Sequence, residues 1–137
     1  MKQSGDGSFH LSPSTAELEG ENMQLDLENN LVHGWKKTDD LVCWKIDVVK
    51  PGYFTMKIEY AAEAPWEGGV YKFQLDDEEP KSMEVFSLGS RSQFRVDEKH
   101  LRIQGTGVHS FTLWADTLSG DELMVLKSIE LVPSSRK

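Results

Sequence analysis

Apolar and polar residues alternate along most of the chain after residue 15, and this period of two is typical of strands with one buried and one exposed face. The longest run covers 42–48, where Val, Trp, Ile and Val alternate with Cys, Lys and Asp. A Lys-Pro-Gly turn at 50–52 follows, and a second alternating run covers 54–60. Proline presets the first turn position and glycine accepts a positive φ, so these segments predict a β-hairpin.

Further short alternating runs are separated by stretches rich in glycine, aspartate and serine. They lie at 71–75, 83–86, 94–96, 101–103, 111–113 and 123–132. No stretch longer than ten residues keeps helical spacing with caps at both ends, and we interpret 14–19 as strand or turn. This pattern predicts an all-β fold, a jelly-roll β-sandwich of two antiparallel sheets. Whether 92–104 forms one strand or two stays open.

The 137 residues are typical of one domain with a core large enough to need no disulfide. We expect a flexible N-terminal segment at 1–10, the sandwich at 11–133 and a C-terminal tail at 134–137. Cys43 is the only cysteine, which excludes an intramolecular disulfide. No apolar run approaches the roughly 20 residues of a membrane span, and the start lacks a hydrophobic stretch of signal-peptide length.

The charge balance argues against polyanionic partners. Fifteen Lys and Arg oppose 23 Asp and Glu, for a formal net charge of -8. Nucleic acid and anionic membrane surfaces would be repelled, so we expect neither as a partner.

No known catalytic motif is present, and we predict no catalytic residue. The chain has no phosphate loop, no H-E-x-x-H and no G-x-S-x-G. Its paired acids, such as Asp121-Glu122, lie in turns, where carboxylates are mostly solvated. The four histidines are scattered, and His109 is in register with Phe111, which favours a hydrogen-bonded structural histidine.

Several short phrases, taken in order, resemble one known pattern. They are AELEG at 16–20, HGW at 33–35, DLVCW at 40–44, PGYF at 51–54, IEYA at 58–61, GVHSF at 107–111 and LKSIEL at 126–131. Over about 11–133 the chain therefore resembles the galactose-binding-like β-sandwich modules of the carbohydrate-binding-module superfamily. The nearest variety is the one appended to bacterial α-L-fucosidases, sulfatases and related polysaccharide-degrading enzymes.

The resemblance implies a non-catalytic module that holds carbohydrate or polysaccharide and targets an attached or partner glycoside hydrolase, fucosidase-like, or a sulfatase. The alternative is a structural accessory domain that packs on a catalytic domain and binds no glycan. Such modules are found in extracellular or periplasmic enzymes, so we expect that location.

Many relatives also carry a structural calcium, bound partly by a glutamate in the first strand and an aspartate in the last. Glu17 and Glu19 fit the first half of that pattern. Lys127 occupies the position of the aspartate, and its ammonium would repel a divalent cation. We therefore expect no metal and no other cofactor.

The four tryptophans divide by position. Trp44 is in register with the apolar residues of 42–48 and is predicted to lie in the core. Trp114 points away from the main core, either onto the second face of its sheet or into solvent. Trp35 and Trp66 lie in turn-like segments, where they either stack on a sugar or anchor their loops to the sandwich edge.

Strand direction brings the candidate residues together. If each run is a single strand, antiparallel succession places the loops 35–40, 62–69 and 88–91 at one end. The predicted ligand site there has Trp35 and Trp66 as stacking rings for the C–H face of a pyranose. Its polar side chains, which would bind sugar hydroxyls, are Asp39, Glu67 and Arg91.

Overall fold

The alternating segments form strands whose apolar sides meet between two sheets, in a computed structural model that describes residues 2–134. In chain order the strands are β1 (Phe9–Leu11), β2 (Glu17–Glu19), β3 (Gln24–Asp26), β4 (Leu31–His33), β5 (Leu41–Val48), β6 (Gly52–Ala61), β7 (Val70–Leu75), β8 (Lys81–Glu84), β9 (Phe94–Ile103), β10 (Gly107–Thr117) and β11 (Val125–Pro133). Within residues 2–134 the only helices are two 3₁₀ turns, Pro13–Thr15 and Ala64–Trp66.

The strands pair into two antiparallel sheets. One has the order β3-β4-β11-β6-β9, with β1 also paired to β11, and the other has the order β2-β5-β10-β7-β8. The predicted all-β jelly-roll sandwich is therefore confirmed. Among the described residues, no helix is long and apolar enough to cross a membrane.

The core between the sheets is aromatic. Trp44 on β5 is 1% exposed, its ring lies 6.4 Å from that of Phe111, and its indole N–H donates to the Ser12 carbonyl at 2.9 Å. The predicted core position of Trp44 is confirmed. Trp114 lies on the opposite side of β10, on the outer face of its sheet, where it is half-buried beside its cross-strand neighbours Leu41 and Lys72.

The strands run the length of the sandwich, so each connection falls at one of two ends. Because β9 is one continuous strand, β10 returns to the end where β9 began. The loops 34–40, 62–69, 85–93 and 118–124 therefore share what we call the loop end, which confirms the placement predicted from strand direction. The opposite end of the sandwich, which we call the turn end, contains the turns at 49–51, 76–80 and 104–106.

The sandwich begins earlier in the chain than expected. Phe9 is 1% exposed and opens β1, and the Gln3 side-chain oxygen accepts the N–H groups of Val49 and Lys50 at 2.8 Å each. Strand β1 therefore begins two residues before the expected boundary at 11, and Gln3 also contacts the fold, within the segment 1–10 that we expected to be flexible. Of the expected tail, Ser134 donates its N–H to the Tyr53 carbonyl, while 135–137, like residue 1, lie outside the described residues.

Candidate functional site

One buried carboxylate joins three of the loops at the loop end. Glu122 is 7% exposed, and one of its oxygens accepts the N–H of Gly34 at 3.0 Å. The other oxygen lies 3.9 Å from the guanidinium of Arg91, which in turn lies 5.4 Å from the centre of the Trp66 ring. Sequence reasoning missed Glu122, because an acidic pair in a turn is usually solvated.

Trp35 is inside the protein and not on its surface. The residue is 0% exposed, and its indole N–H donates to the Asp40 carbonyl at 2.6 Å. Its own carbonyl accepts the N–H of Leu123 at 2.9 Å. No ring face is available to a sugar, so the predicted stacking role of Trp35 is corrected, and the loop-anchor interpretation describes what the residue does.

Trp66 is buried in the same way, although it lies in an outer loop. The residue is 4% exposed, and its indole N–H donates to the Asp121 carboxylate at 2.7 Å. Gly120 packs so closely on the ring that a Cβ there would lie 2.7 Å from Cδ1. This ring clips the loop 118–124 to the loop 62–69, so its predicted stacking role is also corrected.

The three polar residues predicted for the site do not form one cluster. Arg91 reaches Trp66 and Glu122 as described, and exposed Glu67 accepts the N–H of Ser87 at 2.9 Å. Asp39 is exposed, and its backbone N–H donates to the Ala115 carbonyl at 2.8 Å. Within residues 2–134, no hydrogen bond or ion pair joins its side chain to the other four predicted residues. Glu67, Arg91 and Asp39 remain predicted partners for sugar hydroxyls. Of these three described side chains, only that of Arg91 forms a cation–π contact, hydrogen bond or ion pair with another residue of the predicted site.

The aromatic ring that the loop end does expose is Phe86. It follows β8 and is 40% exposed, which makes it the only aromatic residue among the exposed large hydrophobics within 2–134. Leu88, two residues on, is 51% exposed, and the guanidinium of Arg95 lies 4.9 Å from the ring centre. The alternating pattern predicted a strand that ends at Phe86. It did not indicate that the aromatic side chain at this end is exposed to solvent.

A hydrogen-bonded network fixes the position of this ring. Arg95 donates twice to one oxygen of Asp97, at 2.6 and 3.0 Å, and the other oxygen accepts the hydroxyl of Tyr60 at 2.7 Å. The Tyr60 oxygen in turn accepts the backbone N–H of Phe86 at 2.9 Å. Burial, and then the hydrogen bond to Asp97, raise the pKa of Tyr60, so the phenol stays protonated and keeps donating.

We call the surface formed by Glu67, Phe86, Leu88 and Arg95 the Phe86 patch. It combines a half-exposed ring and an aliphatic side chain with a carboxylate and a guanidinium, which are groups that suit the apolar face and the hydroxyl rim of a sugar. The arrangement is preformed, because the Tyr60 hydroxyl and the Glu67 carboxylate accept the backbone N–H groups of Phe86 and Ser87.

Lys127 occupies the position at which the resemblance expects a calcium-binding aspartate. The ammonium of Lys127 lies 3.6 Å from the Glu59 carboxylate and 5.1 Å from the centre of the Phe94 ring. Glu17 and Glu19 are on β2, an edge strand of the other sheet. Within residues 2–134, no three His, Cys, Asp or Glu side chains gather as metal ligands would. An ammonium beside Glu59 does not fit a divalent cation at this position, because the two positive charges would repel each other.

No protein-family model and no curated protein sequence matches the chain. Among solved structures, it aligns with the CBM35 from Cellvibrio japonicus Abf62 at a TM-score of 0.77 and 16% identity, over 93% of this chain and 94% of that one. The CBM6 from Cellvibrio mixtus lichenase 5A, in complex with cellotriose, aligns at 0.70 and 11%, over 92% and 97%.

A longer enzyme contains the same fold. The Podospora anserina GH26-CBM35 β-(1,4)-mannanase aligns at a TM-score of 0.74 and 16% identity, over 96% of this chain but only 29% of that one. At these identities the likeness concerns the fold, which is that of CBM35 and CBM6 carbohydrate-binding modules.

Proposed function

We propose that this chain is a non-catalytic carbohydrate-binding module that holds glycan at the Phe86 patch. The observation that carries the proposal is the end-to-end match, over more than nine-tenths of both chains, to separately solved carbohydrate-binding modules. By holding polymer, the module raises the effective concentration of substrate for an attached or partner glycan-degrading enzyme. A fucosidase-like glycoside hydrolase or a sulfatase, acting outside the cell or in the periplasm, is the partner that we propose.

The carboxylates at the loop end support a binding role over a catalytic one. General acid and base chemistry needs two carboxyls facing each other across a cleft, with environments that separate their pKa values. Here Glu122 holds Gly34 and Arg91, Asp97 holds Arg95, and Asp121 holds Trp66. Each of these three side chains is bonded to other groups of the protein, which is a structural role.

The charges favour a neutral glycan. Both arginines at the loop end have a carboxylate partner within 4 Å, Arg91 in Glu122 and Arg95 in Asp97. Glu67 adds a negative charge beside Phe86, and the whole chain carries -8. A uronate or sulfate group at the Phe86 patch would meet an Arg95 side chain that is already paired with Asp97, so its desolvation would be poorly offset.

The proposal is tested by affinity electrophoresis in native gels that contain one soluble polysaccharide each. We expect retardation by at least one neutral fucosylated or galactosylated polymer and none by polygalacturonate, with a dissociation constant near millimolar, or about 4 kcal/mol of binding. Retardation by polygalacturonate alone would overturn the neutral specificity. Free migration through every gel would overturn the module itself.

The second candidate is the structural accessory domain. The exposed apolar side chains of Phe86, Leu88 and Val96, which are 40%, 51% and 51% exposed, favour it, because an adjoining catalytic domain would cover them. It predicts a stable one-to-one complex with that domain by size-exclusion chromatography, together with free migration in the polysaccharide gels.

We also propose that the fold needs no calcium. Chelation with EDTA is expected to leave the melting temperature unchanged within about 1 °C, because Lys127 already places a positive charge beside Glu59. Differential scanning fluorimetry in matched buffers, with magnesium as the control cation, checks this. A drop of several degrees on chelation that calcium alone restores would contradict it.

A further inference from the structure

At the turn end, both nitrogens of one histidine ring face hydrogen-bond acceptors. His109, near the start of β10, has Nδ1 2.5 Å from a carboxylate oxygen of Asp76 and Nε2 3.0 Å from the carbonyl oxygen of Gly105. The side chain of His109 is only 14% exposed. The second oxygen of Asp76 accepts the N–H of Ser110 at 2.8 Å, which holds the carboxylate beside the ring.

This geometry specifies the protonation state of the ring. A carbonyl oxygen only accepts hydrogen bonds, and so does an ionised carboxylate. A neutral imidazole has one N–H and can donate to only one of the two. Both contacts are therefore satisfied only when His109 carries a proton on each nitrogen.

We propose that His109 is a pH-sensitive clamp, which in its doubly protonated form ties the turn at 76–80 to the turn at 104–106. Asp76 opens the first turn and Gly105 lies at the centre of the second, so one ring joins them. When the ring loses a proton, one of the two contacts must break. This proposal is independent of glycan binding, which we place at the opposite end of the sandwich.

The surrounding charges set the direction of the pH dependence. The hydrogen bond to Asp76, helped by Gly105 and by the charges of Asp76 and Glu78, raises the pKa of His109 above 6.5 against a smaller opposing effect of partial burial. Partial burial acts to raise the pKa of Asp76, but its bonds to His109 and Ser110, with Lys45 of β5, bring that pKa below 3.8.

The sign of the linkage follows from these two directions. The contribution of His109 to stability is fully present below pH 6.5, the ordinary pKa of histidine, and is lost as the pH rises through the raised pKa. The contribution of Asp76 is present above pH 3.8 and is lost as the pH falls through the lowered pKa. The clamp is therefore strongest between those two values.

The same two turns line a pocket of about 100 Å³. Glu78 and Glu79 come from the first turn and Gln104 from the second, while Phe73 and Leu101 supply an apolar wall. Because the clamp joins the two turns, its release changes the environment of residues at this rim. The backbone amide of Gln104 is therefore a reporter that does not depend on the histidine signal itself.

The test is an NMR titration of the whole chain from pH 5 to 9, with long-range ¹H–¹⁵N spectra of the imidazoles. We expect both nitrogens of His109 to be protonated at pH 6.5, and the Gln104 amide to shift with the same midpoint as His109. Asp76→Asn should lower that midpoint. A midpoint at or below 6.5, or one that Asp76→Asn leaves unchanged, would overturn the clamp.

A thermal series gives a second readout. His109→Gln is expected to lower the melting temperature by roughly 4 °C at pH 5.5 and by less than half of that at pH 9. The control is His100→Gln, which removes an exposed imidazole whose Nδ1 lies 3.2 Å from the Thr55 hydroxyl. Equal losses for His109→Gln at both pH values would indicate a purely steric role and overturn the proposal.

Discussion

Replacing Trp35 by alanine is expected to lower the free energy of unfolding by about 3 to 5 kcal/mol, the range for a large aromatic residue removed from a core. The residue is 0% exposed, so its removal leaves a cavity under the loop end. It also leaves the Asp40 carbonyl without the indole N–H that it accepts at 2.6 Å. Urea unfolding, followed by far-ultraviolet circular dichroism, measures the change.

Two matched variants separate burial from other properties of tryptophan. Trp35→Phe keeps most of the apolar volume but not the hydrogen bond, so its free energy of unfolding should lie between that of the wild type and that of Trp35→Ala. Trp114→Ala removes a half-buried ring from the outer face of β10 and should cost only about 1 kcal/mol. If Trp35→Ala unfolded at the wild-type urea concentration, the buried position of this ring would be wrong.

Replacing Phe86 by alanine is expected to weaken glycan binding at least tenfold, which corresponds to about 1.4 kcal/mol, while changing stability by less than about 1 kcal/mol. The ring is 40% exposed, so it contributes less to the stability of the core than to the binding of a sugar that stacks on it. Isothermal titration calorimetry with the neutral glycan identified by electrophoresis measures the affinity, and urea unfolding measures the stability.

The control for Phe86→Ala is Val108→Ala. Val108 is also an exposed apolar residue, 69% accessible, but it is near the start of β10 at the turn end. We expect wild-type affinity for this variant. If Phe86→Ala kept wild-type affinity while Trp114→Ala lost it, the glycan would lie on the outer face of the β2-β5-β10-β7-β8 sheet, and the Phe86 patch would be wrong.

The fold could be predicted because alternation is a local property of the sequence. The alternation at 42–48 predicts a strand and shows which of its faces is buried, and the Lys-Pro-Gly turn after it predicts that the chain reverses direction. All three inferences need only residues that are neighbours in the sequence. Strands β1, β3 and β4 were missed, because three residues are too few to establish a period of two. Their positions depend on partners far along the chain, as in the pairing of Phe9 with Leu131.

The site could be predicted only in part. Strand direction correctly brought the loops of Trp66 and Arg91 together, because direction needs only a count of strands. The exposure of a loop side chain cannot be obtained by counting strands. A loop with enough residues can fold an indole back over the edge of the sandwich, as the loop of Trp66 does against Gly120. Phe86 is uncovered because β9, beside it, is the last strand of its sheet, and no local pattern carries that information.

The most direct test of the central claim is an NMR titration of the ¹⁵N-labelled chain with the neutral oligosaccharide that corresponds to the retarding polymer. We predict saturable chemical-shift changes that cluster at 63–67, 86–91 and 95–97, around the Phe86 patch, with little change at the turn end. Shifts confined to other surfaces, or no shifts at 10 times the roughly millimolar dissociation constant that we expect, would contradict a glycan-binding module that works through this patch.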